Sequence, residues 1–127
     1  MARWAPQKQD VLDAFAQEIV STYPSKAAVA VLARDAEESR VFGAGIAEAI
    51  TATGRAATVS ESTEVSPDAI TIVVGPVALD EANWTRWNVP VWLDHDADED
   101  RGMRRKAGVV FDVSDPEHPR RRFADSC

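Results

Sequence analysis

The sequence holds one cysteine, Cys127, and only two histidines, His95 and His118. A single thiol permits no intrachain disulfide, and a reducing cytoplasm is the compartment such a chain is expected to occupy. Two histidines without a cysteine cluster do not make a zinc ligand set. No window approaches 18 consecutive apolar residues, which argues against a membrane span. The opening "MARWAPQKQDVLDAF" lacks the continuous apolar core of a secretory signal. Basic residues are in deficit as well: 14 Lys and Arg stand against 21 Asp and Glu, a net charge of −7. That sign disfavours nucleic acid and anionic membrane as partners.

The deficit is uneven. Residues 1–100 carry seven basic and 17 acidic side chains, whereas residues 101–127 carry seven basic and four acidic ones. Two copies of the chain, or a partner, can meet through such opposite fields; a solvated surface of uneven charge is the plainer alternative.

What is present suits one globular domain spanning 1–127. A chain of this length buries roughly 65–70% of its unfolded surface, enough for a core without disulfide or metal staples. Leu12, Phe15, Ile19 and Val20 recur at helical spacing and predict a helix over 8–22, ended by Pro24. "AAVAVLA" (27–33) has the continuous apolar character of a strand buried on both faces. A second helix is predicted from about Glu37 to Thr53, with Phe42, Ile46 and Ile50 on its inner face and Gly54 beyond its end. "AATVS" (56–60), "AITIVVG" (69–75), "VPVWLD" (89–94) and "AGVVFDV" (107–113) predict four further strands. "LDEANWTRW" (79–87) predicts a short helix. "DADEDRGMRRK" (96–106), acids first and bases last, predicts another in the order a helix dipole favours. Residues 114–127 are expected to form a tail. Strands alternating with helices imply an α/β three-layer sandwich with a five-stranded parallel sheet.

"DVLDAFAQEIVSTYP" ahead of a strand and loop, then "ATGRAATVS", "IVVGPVAL", "WNVPVWLD" and "DPEHPRRRF", together resemble the bacterial uridine-kinase-like P-loop phosphotransferases. The likeness runs in order through nearly the whole chain, and it implies a P-loop kinase-like fold. That family places G-x-x-x-x-G-K-[ST] after its first strand, where backbone N–H groups wrap the phosphates and the lysine neutralises them. Laid on this chain, the pattern falls on Ala33, Glu38, Ser39 and Arg40, and none of the four matches. The degenerate loop comprises Ala33, Arg34, Asp35, Glu37, Glu38, Ser39 and Arg40. It contains no glycine, and its carboxylates sit where a helix N-terminus would attract an anion. Two unit charges 4 Å apart interact by roughly 4 kcal/mol at an effective dielectric near 20. A micromolar affinity amounts to about 8 kcal/mol, so one misplaced carboxylate removes half of it.

Other parts that the resemblance implies are missing too. The aspartate expected before the Gly-Pro of the third strand is replaced by Val74, and the strand-two motif, here "TVSEST", leaves only Glu61 as a candidate acid. The long acceptor-binding segment has shrunk to the link before residue 69. Arg101, Arg104 and Arg105 match the family's lid arginines and are candidates for residual phosphate contact. Their alternative role is to complement a helix C-terminus or the acids at 96–100.

"DHDADED" (94–100) fails as a calcium loop, because its sixth and twelfth positions counted from Asp94 hold Glu99 and Arg105. No metal site is expected. Four tryptophans are mostly expected in the core, but Trp84, Arg86 and Trp87 combine the residue types of an interface hot spot. The expected function is therefore that of a noncatalytic, pseudokinase-like protein that binds another protein or its own copy, without a cofactor. The alternative is a nucleotide-binding protein or phosphotransferase of the uridine kinase type with an altered site, using ATP and magnesium, with Arg34, Arg40 and the later arginines standing in for the lost lysine. A third is a different small-molecule enzyme with its ligand at the strand C-terminal ends.

Overall fold

The computed structural model describes residues 8–95, 107–115 and 117–122. Helix α1 (Lys8–Thr22) turns Leu12, Phe15, Ala16 and Ile19 inward, the i, i+3, i+4, i+7 stripe that one buried face requires. Strand β1 (Ala27–Leu32) follows and is buried at all six positions. Helix α2 (Ala36–Ala52) leaves it after three residues and ends at the cap Thr53, with Gly54 at φ +96° beyond. Strands β2 (Ala57–Ser60) and β3 (Ile70–Val73) come next. A single helical turn, α3 (Pro76–Leu79), runs into a 3₁₀ helix over Glu81–Arg86. Strands β4 (Val89–Asp94), β5 (Val109–Asp112) and β6 (Arg120–Arg122) complete the chain.

The strands form one mixed sheet in the order β2-β3-β1-β4-β5-β6. The first five are mutually parallel; β6 runs antiparallel against β5, with Phe111 opposite Arg121. The five-strand expectation is thus short by one, because part of the expected tail is a strand. Arg121 explains why three consecutive arginines pair here. Its guanidinium lies 5.5 Å from the Phe15 ring centre and 5.9 Å from that of Phe111, and it bonds Glu18 of α1 at 2.6 and 3.1 Å. The strand is held by that reach across the sheet as well as by its ladder. The helix expected over 79–87 is also corrected: Asp80 is extended, and its carboxylate accepts from the Ala82 N–H at 3.0 Å, so the segment is capped anew and splits in two. The helix expected over 96–106 lies outside the described residues.

Two cores flank the sheet. On one face, α1 and α2 pack over Val29, Val31, Ile70, Ile72, Leu93 and Phe111. Phe15 and Phe42 both approach the Phe111 ring at 5.2 Å between centres. Gly43 lets α2 sit close to β3, since a β-carbon there would collide with Val74. On the other face, Trp87 and Trp92 pack with Ala28, Ala30 and Leu32, the small β1 residues leaving room for two indoles. Among the described residues no helix is long and apolar enough to cross a membrane.

Candidate functional site

Alternation along β1 and β3 feeds both faces, and their exits diverge. Helix α2 leaves β1 toward the first core, whereas α3 leaves β3 toward the second. Adjacent parallel strands whose crossovers part in this way open a crevice at their C-terminal ends, the place where open α/β sheets take ligands. The degenerate loop of the sequence lies at this crevice.

Side chains of the chain itself bond across the crevice. Only residues 33–35 separate β1 from α2, and Ala33 is buried in the first core. Asp35, with φ −97° and ψ 117°, caps the helix, its Oδ1 accepting from the Glu37 N–H at 2.9 Å. The Asp35 carboxylate thus takes one of the N-terminal donors that a phosphate would need and sets its charge beside the others. Ser39, at the position of the family's lysine, is 1% exposed. Its hydroxyl donates to the Val31 carbonyl at 2.7 Å and accepts from the Gly75 N–H at 3.0 Å. One side chain therefore ties the end of β1 to the end of β3.

The remaining charges are paired with one another. Arg40 bonds Glu61 through Nε at 3.1 Å and lies 3.7 Å from Glu37. Glu38 meets His95 at 3.0 Å, joining the start of α2 to the end of β4. Arg34 is exposed at the mouth of the crevice. Asp94 is fully buried and accepts from the Trp92 indole N–H at 3.1 Å. Gly75 has φ +81° and ψ −168°, and a β-carbon there would lie 2.8 Å from Glu61 Oε1.

Sequence reasoning placed the loop residues together and named Glu61, but it missed the Ser39 clip, Gly75 and the burial of Asp94. The only sequence signal for Asp94 is its place at the end of an apolar strand. Of the expected partner surface, Trp87 is buried and its indole donates to the Ala78 carbonyl at 3.3 Å. Trp84 is half-buried and donates to the Leu79 carbonyl at 3.1 Å, which leaves Arg86 as the exposed member of the three. Arg101, Arg104 and Arg105 lie outside the described residues. Among the described residues no group of three His, Cys, Asp or Glu side chains is placed to hold a metal ion.

Fold and crevice define an α/β chain with a mixed, mostly parallel six-stranded sheet and a switch point between β1 and β3. Comparison with protein-family models, curated proteins and solved structures finds no significant match to it.

Proposed function

We propose that this chain is a noncatalytic, pseudokinase-like protein on a degenerate P-loop kinase-like scaffold, acting by contact with another protein or its own copy. The observation that supports this reading is the Ser39 hydroxyl bridging Val31 and Gly75 beside the Asp35 cap. A phosphate would have to displace a buried hydroxyl and a carboxylate to reach the α2 N-terminus, and three acids in the first turn and cap oppose it.

Thermal unfolding followed against ATP with magnesium tests the proposal. A ligand present at 100 times its Kd adds about 2.7 kcal/mol of stability, roughly 10 °C for a domain of this size. The expected result is no shift at millimolar nucleotide. A dose-dependent rise would overturn the reading and favour the altered-site phosphotransferase.

A further inference from the structure

We infer that a second copy of this chain pairs with the first along β2, antiparallel and about a twofold axis at Thr58, to make one continuous sheet. This names the partner that the proposed function leaves open and rests on that reading for its role, although its geometry comes from a different part of the molecule.

β2 is an edge strand. In its parallel ladder with β3, the Ala56 and Ser60 carbonyls accept from Ile70 and Val74, so alternate residues 56, 58 and 60 face inward. The N–H and C=O groups of Ala57 and Val59 consequently point away from the sheet. The strand carries none of the devices that usually blunt an edge: no lysine, no proline, no charged side chain. Val59 is 47% exposed, among the few large hydrophobic side chains that are. The opposite edge, β6, is three arginines.

The parity of the outward groups restricts the register. Antiparallel hydrogen-bonded pairs must join outward-facing residues, and of the registers this parity allows, the one centred on Thr58 engages both outward residues of both copies, with Ala57 of one opposite Val59 of the other, twice. Each Val59 then gains an apolar neighbour, and Thr58 meets Thr58 on the axis as a favourable cross-strand pair. The same register sets Arg55 of one copy opposite Glu61 of the other, also twice. Arg55 uses Nη2 for its bonds to the Tyr23 and Ser25 carbonyls, and Glu61 uses Oε1 for Arg40. Strand and flanks are therefore complementary to themselves in charge, which is what selects a second copy over an unrelated strand. Contacts of this size are weak, so association is expected only at high protein concentration.

Light scattering at about 100 μM, a concentration suited to a small interface, is expected to give a mass of twice 13.8 kDa. Val59→Pro removes the outward N–H and leaves the β3 ladder intact; it is expected to be monomeric with unchanged far-UV circular dichroism. Val59→Lys serves the same purpose should the proline variant fail to fold. In a Cys127→Ser background, Thr58→Cys is expected to form a disulfide-linked dimer under mild oxidation, whereas Ser60→Cys is not. A monomeric parent chain, or a dimer that survives both Val59 variants, overturns the inference. A monomer that ignores nucleotide leaves the noncatalytic reading standing, and a dimer that binds nucleotide sinks that reading alone.

Discussion

Ser39→Ala is the substitution in which the structure is most exposed to refutation. It deletes one oxygen and almost no volume, so packing loss cannot account for a large effect. What it leaves behind are two buried backbone groups, the Val31 carbonyl and the Gly75 N–H, that the hydroxyl now serves at 2.7 and 3.0 Å. An unsatisfied buried donor or acceptor costs about 1–3 kcal/mol. Two at one point, partly relieved by relaxation, amount to roughly 2–4 kcal/mol, a large share of the 5–15 kcal/mol typical of a whole domain. Urea unfolding of a chain this size has a slope near 2 kcal/mol per molar, so the midpoint should fall by about 1–2 M. Ser25→Ala, an exposed site, should change stability by less than about 0.5 kcal/mol and controls for the chemistry of the exchange. Amide exchange adds a local readout: protection at the Gly75 N–H should drop further than at Ile72 within β3. A loss below about 0.5 kcal/mol, with Gly75 protection unchanged, would mean that the two strand ends are not held by this side chain. The account of a bridged crevice would then fail with it.

Two further outcomes follow from single contacts. Arg121 holds the Glu18 carboxyl below its ordinary range, first by hydrogen bonding, with burial opposing and charge assisting. A lowered folded-state value means that the contribution is full above the unfolded value of 4.5 and disappears as pH falls through the folded one. With Glu18 half exposed, the pair is worth about 0.5–1 kcal/mol; the stability gap to Glu18→Gln should be flat near neutrality and close below pH 4.5, and a gap constant down to pH 3 would contradict the pairing. Gly75→Ala forces a side chain into a backbone region that is almost glycine-only, and chemical denaturation should register a loss of about 1–3 kcal/mol; a neutral result would show that the turn relaxes freely.

Particular elements show where a sequence speaks plainly. Residues 8–22 and 89–94 are predicted to the residue, because each pattern answers to one neighbour: an amphipathic stripe before a proline, and an apolar run buried in a parallel sheet. β6 is invisible by the same logic. Nothing in "RRR" suggests a strand until Phe15, Phe111 and Glu18, the last 103 residues away, are seen to converge on Arg121. The loop at 33–40 is half legible. Its departures from the P-loop pattern can be counted from the sequence, but Ser39 reads there only as an absence. Its bonds to residues eight and 36 positions away turn that absence into a structural part.

The same distinction bears on where this molecule meets others. Ligand sites in open α/β sheets depend on donors left unsatisfied at strand and helix ends. Here Asp35 takes the Glu37 N–H at the helix N-terminus, Ser39 takes the Val31 carbonyl and the Gly75 N–H at the strand ends, and Glu37, Glu38 and Glu61 pair with Arg40 and His95. These contacts are what the proposed noncatalytic reading rests on. Backbone hydrogen-bonding capacity is open at the β2 edge, where Ala57 and Val59 face outward from an uncharged strand. An exposed ladder of this kind is a template for another strand. In the proposed arrangement, interaction runs through the rim of the sheet and the Ser39 bonds across the crevice serve as internal scaffolding.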